Sequence, residues 1–288
     1  MKVLLNVLTV VRNDRVGLQS TLQSLLSLIQ VREEGDLVLK IRVQDGCSSD
    51  DTKTAYQEFE TRFASYGSSI VFISESDVSL FDAMNKASSS LIKGDMVLFL
   101  NAGDQICPDL KANTLVKCLR DFDRSSAMMA AFRSKNVYQN IEYFMPPMGC
   151  STKQDFIKWL RFNTPVHQAI IFRVDKNFPL HYPLEFEIQA DTLLIYYLIK
   201  YQGRPNFYNI TLCEFELGGL SNTYISFKKV LTQIKEQSVI GRFREEPLWS
   251  RKLRGFLLLI KYVLHKVLGD YFYSIHAKAN QIFRSFKY

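Results

Sequence analysis

Residues 75–104, ESDVSLFDAMNKASSSLIKGDMVLFLNAGD, decide the fold. The last third is an uninterrupted apolar run, Met96-Val-Leu-Phe-Leu100, ending in a polar turn, Asn101-Ala-Gly-Asp104. An apolar run of this length without alternation suits a central parallel strand covered by helices on both faces. The residues ahead of it carry a helix start signal, with Ser79 as N-cap and Asp82 three residues on. Leu80, Met84, Ala87 and Leu91 then recur at helical spacing, and Gly94 is expected to close that helix. In open α/β sheets ligands bind beyond the carboxyl ends of the strands, which puts Asp104 at the mouth of a site. A carboxylate there is either a solvated turn residue or a seat for a divalent cation carrying a phosphorylated ligand.

Towards the N-terminus the same unit repeats. Residues 2–11 read as a strand, and Asp14 can cap a helix whose Leu18, Leu22, Leu25, Leu26 and Ile29 form one apolar stripe. Residues 37–43 read as a second strand, ending in a turn dense in carboxylates and hydroxyls, Gln44-Asp-Gly-Cys-Ser-Ser-Asp-Asp-Thr52. A helix over 52–66 and a third strand over 69–74 follow, with Asp50 and Asp51 as caps of the former. Strands alternating with helices predict a parallel sheet whose polar loops, 9–14, 45–51, 75–77 and 101–104, share one edge. That is a nucleotide-site arrangement, yet neither G-x-G-x-x-G nor G-x-x-x-x-G-K-[ST] is present, so a glycine-rich cradle does not hold the ligand. Downstream, a helix is expected over 109–123, a strand over 128–132, a hairpin through 137–144 turning near Asn140, a strand over 169–172 and a helix over 192–201.

Composition narrows the classes. A chain of 288 residues, 47% hydrophobic, can bury the core of one large domain or of a domain with an appendage. Five cysteines, an odd number without a C-x-x-C pair, make neither a disulfide framework nor a zinc site, so a reduced, cytoplasmic setting is expected. Met1-Lys2 leads straight into a strand without signal-peptide features, and no charge-free apolar run is long enough to span a bilayer. A net charge of +7 predicts anionic partners: nucleotides, phosphates, an acidic membrane surface or nucleic acid. Nucleic acid is the poorest fit, because the strands end in acidic loops and no zinc-finger or RNA-binding aromatic motif appears. From Arg251 onward the character changes. On a helix, Phe256, Leu257, Ile260, Val263, Leu264, Val267 and Leu268 fall on one face and Arg251, Lys252, Arg254, Lys261, His265 and Lys266 opposite. Such a helix lies in an anionic membrane interface, or packs on the rest of the chain or on a second copy of it as a homo-oligomer.

Taken together, Thr9-Val-Val-Arg-Asn13, Asp45-Gly-Cys-Ser-Ser-Asp50, Ser74-Glu-Ser-Asp77, Phe81-Asp-Ala-Met-Asn-Lys86 and Phe99-Leu-Asn-Ala-Gly-Asp104 resemble glycosyltransferase family 2. More narrowly, they resemble its bacterial branch that builds colanic-acid-like exopolysaccharides and O-antigens. The likeness continues in Pro165-Val-His-Gln168, Ala190-Asp191 and Leu217-Gly-Gly-Leu-Ser221, covering about the first three quarters of the chain. It implies a GT-A fold, an α/β domain with a mixed, mostly parallel sheet flanked by helices, here with a C-terminal helical appendage. The corresponding division is 1–222 for the catalytic domain, its nucleotide half about 1–104 and its acceptor half about 105–222, and 223–288 for a helical segment that associates with membrane.

The resemblance also assigns roles. Thr9 and Asn13 match positions lining the nucleotide, and Asp45 matches the carboxylate that accepts from the ring N–H of uracil. An ionised carboxylate is acceptor-only and suits uracil or guanine better than cytosine, while Asp-Gly is also simply a common turn dipeptide. Asp77, Asp82, Asn85 and Lys86 match positions near the donor; Asp82 reads equally as the cap of its own helix and Lys86 as a solvated lysine. Asp104 matches the last acid of the D-x-D-type metal motif, with Asn101 in place of the first carboxylate, implying a weakened site for Mn²⁺ or Mg²⁺. His167 and Gln168 match an H-Q pair lining the acceptor side. Asp191 matches the catalytic base of a single, inverting displacement; read alone, it is an acid at a helix N-terminus, a position that favours the ionised form. The loop 217–222 is expected to fold over the bound donor. The implied activity is sugar transfer from a nucleoside-diphosphate donor, UDP-linked, to a saccharide hydroxyl on a lipid carrier at the cytoplasmic face of a bacterial inner membrane, in surface-polysaccharide synthesis. The rivals are a sugar nucleotidyltransferase, which lacks its glycine-rich N-terminal loop here, and a degenerate, non-catalytic GT-A protein, supported by the amide at 101.

Overall fold

The structure, a computed structural model, describes residues 2–30, 36–138, 141–160, 163–175, 180–216 and 226–269, with 271, 272, 275, 278 and 279. The elements run β1 (Val3–Val11), α1 (Arg15–Gln30), β2 (Leu37–Asp45), α2 (Thr52–Ser65), β3 (Ser69–Ser74), α3 (Leu80–Ser88) and β4 (Met96–Phe99). Then come β5 (Gln105–Ile106), α4 (Ala112–Arg124), β6 (Met129–Tyr138), β7 (Ile141–Met145), α5 (Lys153–Leu160), β8 (Ile170–Arg173) and α6 (Ala190–Gln202). β9 (Asn206–Glu216), α7 (Phe227–Phe243) and α8 (Leu248–Leu268) complete the chain.

One sheet holds the strands in the order β3-β2-β1-β4-β8-β6-β9-β5, with β7 on β6. β3, β2, β1 and β4 pair in parallel, so their carboxyl ends and the four polar loops do share one edge. β8 turns antiparallel against β4, and the far half is mixed. The apolar run at 96–100 is buried throughout, as a strand between two layers requires. The stripe Leu18, Leu22, Leu25, Leu26 and Ile29 of α1 fills one face of the sheet, each side chain contributing on the order of 1.5–3 kcal/mol. α3 and α6 fill the other face, Phe81 and Met84 meeting Leu194 and Leu198 in one cluster. All five cysteines are free thiols.

Four expectations are corrected. α3 ends at Ser88, short of Leu91 and Gly94; the chain leaves through a turn, and Gly94, at φ +93°, takes a left-handed conformation just before β4. α4 starts at Ala112 because Pro108 and Asp109 form a turn, the Leu110 N–H donating to the Cys107 carbonyl. The strand expected over 128–132 and the first arm of the hairpin are one strand, β6, whose polar middle looks like a break in sequence. Arg133, Ser134 and Asn136 lie buried in that middle, the Arg133 guanidinium donating to the carbonyls of Pro147, Met148 and Cys150. Residues 167–169 form a short 3₁₀ turn, so β8 starts at Ile170, one residue later than expected. The hairpin tip near Asn140 and the glycine-rich loop 217–222 lie outside the described residues.

Candidate active site

The β2 end carries a pocket. β2 runs two residues further than its apolar pattern, delivering Asp45, only 2% exposed, to the shared edge. The Asp45 carboxylate accepts from the backbone N–H of Ser48 at 3.1 Å, from the Ser48 hydroxyl, and from the Ser74 hydroxyl at 2.6 Å. It lines a cavity of ≈370 Å³ with Ser48, Asp50, Lys53, Tyr56, Phe72 and Ser74. The rings of Tyr56 and Phe72, 5.3 Å apart, give that cavity an aromatic wall. Sequence reading missed this pair, which sits on two elements and converges only when α2 packs on β3. Asn13, with φ +51°, ties two loops together: its N–H donates to Ser48 Oγ at 2.7 Å and its Oδ1 accepts from Ser49 N at 2.8 Å. Asp50, expected as a cap, accepts from the Thr52 N–H at 3.1 Å, whereas Asp51 makes no side-chain cap.

Beside it lies a charged group. The Asp77 carboxylate rests on Gly46: a Cβ there would meet Asp77 Oδ2 at 2.3 Å and Arg12 Cδ at 3.2 Å, so a larger residue would push the Asp77 side chain aside. Burial raises the Asp77 pKa, opposed by Arg12, a residue absent from the expected site. Asp82 serves as cap: its N–H donates to Ser79 Oγ at 3.2 Å and its carboxylate accepts from Val78 N at 3.0 Å. That backbone bond, more than Lys86, lowers its pKa. Lys86 is no free lysine, since Nζ reaches the Ser76 carbonyl at 2.5 Å, Asp82 at 3.2 Å and Glu75 at 3.5 Å. It pins the 75–77 loop to α3.

The third group is the turn after β4. Asp104 Oδ2 accepts from Gln168 Nε2 at 3.0 Å, and burial raises its pKa to about 6. Thr21 Oγ1 donates within reach of the Asn101 and Asp104 carbonyls, at 3.1 and 2.7 Å, and accepts from the Gly103 N–H at 3.0 Å, so α1 shapes the turn. Thr9 Oγ1 and Asn101 Oδ1 are buried and have no hydrogen-bond partner among the described residues. Among these residues no three His, Cys, Asp or Glu side chains converge as a metal set. One carboxylate and one orphan amide oxygen in a single turn are hard donors that fit Mg²⁺ or Mn²⁺, provided a ligand completes the shell.

The fourth group centres on Tyr182. Both ends of the Asn85 amide are taken by its backbone, Nδ2 donating to O at 2.9 Å and Oδ1 accepting from N at 2.7 Å. His167, 4% exposed, has Nε2 at 2.6 Å from the Tyr182 hydroxyl and packs on Phe99 and Phe172. Burial lowers its pKa to about 3, so it is a neutral ring beneath the site, and only its neighbour Gln168 touches another candidate residue. Asn85 and His167, both expected near a ligand, thus share Tyr182 as a partner, the first through its amide and the second through Nε2. The Tyr182 hydroxyl pKa is raised, first by burial and then by the charge of Asp191 in the first turn of α6. The Asp191 pKa itself is pushed up to about 6, first by burial, against hydrogen bonding to Thr192. The expectation from the helix terminus alone was the opposite; desolvation wins.

No family model matches the chain, and no curated protein matches it in sequence. Its architecture does have counterparts among solved structures. S. aureus TarS 1-349 in complex with UDP-GlcNAc is 17% identical at a TM-score of 0.59, over 84% of this chain and 66% of that one. The mannosyltransferase PcManGT from Pyrobaculum calidifontis, in complex with GDP-Man and Mn²⁺, is 12% identical at 0.58, over 83% and 64%. The chain has the GT-A fold. It spans just under two thirds of the length of these two structures. Asp77, Asp45 and the turn at 101–104 lie at the carboxyl ends of β3, β2 and β4.

Proposed function

We propose that this GT-A chain is an inverting glycosyltransferase that moves a sugar from a nucleoside-diphosphate donor, UDP-linked, to a saccharide hydroxyl. The observation that carries the reading is the buried Asp45 carboxylate lining an aromatic-walled cavity at the sheet edge. Three protein donors occupy it and leave about one of its four acceptor sites for a ring N–H. In the transfer, the acceptor oxygen attacks the anomeric carbon as its proton passes to Asp191. The carbon–oxygen bond to the diphosphate breaks, and the nucleoside diphosphate leaves with that electron pair. A pKa near 6 leaves Asp191 ionised at neutral pH yet basic enough to take the proton. Asp104 and Asn101 would hold the divalent cation, which when bound neutralises charge on the diphosphate. Calorimetric titration with UDP, GDP, CDP and dTDP, with and without Mn²⁺, tests the reading. Metal-dependent binding of UDP that is lost in Asp104→Ala is the expected result; silence with all four, metal present, would hand the protein to the degenerate GT-A reading.

The acceptor reading, a lipid-linked saccharide in bacterial surface-polysaccharide synthesis at the cytoplasmic membrane face, draws on α8. No helix among the described residues is long and apolar enough to cross a membrane. α8 packs on α7 through Gly255 and Leu258, while Phe256, Leu257, Ile260, Val263, Leu264 and Val267 remain 38–74% exposed. The basic side is divided: Arg254 pairs with Glu246 at 2.9 Å in the α7–α8 junction, and Lys252 and Lys266 stay exposed. An exposed apolar stripe with lysines alongside suits an anionic lipid surface. The chain is expected to pellet with vesicles containing phosphatidylglycerol and not with phosphatidylcholine alone, and to lose this in Ile260→Asp/Leu264→Asp. Dimers by light scattering together with no pelleting would assign the stripe to a second copy instead.

A further inference from the structure

α7 reaches back to the active-site edge through one side chain. Glu236, 6% exposed, has no ion-pair partner among the described residues. Its carboxylate instead accepts from three successive backbone N–H groups: Glu187 at 2.7 Å, Ile188 at 3.2 Å and Gln189 at 2.8 Å. Gln189 is the N-cap of α6, and Asp191 is that helix's second residue. Three consecutive N–H groups converging on one carboxylate fix the path of the backbone, as anion-binding nests do. The rest of α7 is docked on α6 as well. Ile240 joins the cluster of Leu194 and Leu198, and Arg244 stacks on the Tyr196 ring at 4.2 Å. Lys200 Nζ donates to the Phe243 carbonyl at 3.2 Å.

We propose that Glu236 is a positioning residue for Asp191: its carboxylate, held by the N–H groups of residues 187–189, sets the first turn of α6 and so the place of the base. The proposal rests on the reading of Asp191 as that base. A fully stabilising surface contact has no reason to bury an unpaired carboxylate, since burial costs more than a surface position would. Here the carboxylate contributes order at one backbone segment and negative charge beside Asp191. Glu236 on α7 is the charged group that bears on Asp191; Asp191 in turn bears on Tyr182, whose hydroxyl meets His167, and Glu187 beside the nest bears on Glu236. Loss of the Glu236 charge and loosening of the turn, which lets in water, act in the same direction: both make Asp191 a stronger acid.

The test needs no sugar substrate. Carboxyl-¹³C aspartate-labelled protein is titrated by NMR, with Asp191→Asn assigning the Asp191 signal. In Glu236→Gln the Asp191 midpoint is expected to fall by about half a unit or more. Glu236→Asp, which keeps the charge on a shorter stem, is expected to lie between the two and serves if the Gln variant folds poorly. An unchanged midpoint in a folded Glu236→Gln protein overturns the proposal. Once the donor is known, Glu236→Gln is further expected to lower kcat about ten- to a hundredfold at unchanged nucleotide Kd, moving the acid limb of the pH profile downwards. The base reading fails separately: Asp191→Asn with full transfer would end it whatever Glu236 does. A dead Asp191→Asn beside an unaltered Glu236→Gln would end only the positioning role.

Discussion

Asp191→Asn is expected to lower kcat about a thousandfold, measured as nucleoside-diphosphate release in the presence of acceptor, while the nucleotide Kd stays as it was. An amide of the same shape keeps the first turn of α6 but cannot take the acceptor proton. In the unaltered protein, kcat is expected to fall as pH drops through about 6, where Asp191 takes up its proton. The same shift makes a prediction about stability. The folded state holds the Asp191 proton more tightly than the unfolded chain, whose ordinary value is 3.8. The resulting stabilisation is complete below that value and is lost as pH rises through about 6. At pH above this window the native carboxylate is a charge held in a desolvated place, and the neutral Asn variant should melt higher than the native protein; well below it the two should converge. A lower Tm for Asp191→Asn at every pH would show that the carboxylate is there to hold the helix, and a retained kcat would remove it from the chemistry.

Asp45→Asn is expected to weaken UDP binding about 10- to 100-fold and to narrow the preference for UDP over CDP. The carboxylate is buried and meets only donors: the Ser48 N–H, the Ser48 hydroxyl and the Ser74 hydroxyl. An amide offers one acceptor oxygen where two now serve, and turns an NH₂ towards groups that are themselves donating. Uracil and guanine present a ring N–H to such a site, whereas cytosine presents an acceptor, so the swap changes the order of ligands as well as their strength. Calorimetry with UDP and CDP reads both, and a thermal melt separates loss of ligand from loss of fold. UDP affinity unchanged by Asp45→Asn would move the base elsewhere and leave Asp45 as the organiser of the loop between β2 and α2.

Much of the carboxyl edge of the sheet was legible because its determinants are local. The apolar run at 96–100, the stripe from Leu18 to Ile29 and the capping pair Ser79 and Asp82 are short-range patterns. They named β4, α1 and α3 and put Asp45, Asp77 and Asp104 at strand ends. Element ends were less legible where side chains decide them: β2 continues to Asp45 because Ser48 and Ser74 satisfy a carboxylate that reads as turn-forming. β6 was read as two pieces for a related reason, since Arg133 is buried against carbonyls supplied from 147–150.

Local pattern is enough for helices alternating with parallel strands and for acidic loops gathered at one edge, because periodicity and capping act over a few residues. The partners of the polar side chains, by contrast, come from packing between distant parts of the chain. The Asn85 amide and His167 Nε2 both meet Tyr182, nearly a hundred residues from the first and brought there by packing. Asp191 is an ordinary helix-start acid in sequence and a weakened acid in the fold, because desolvation depends on everything packed around it. Glu236 carries no signal at all in the chain; its partners are three backbone N–H groups almost fifty residues away. A backbone hydrogen bond is blind to residue type, so no pattern of side chains could have announced it.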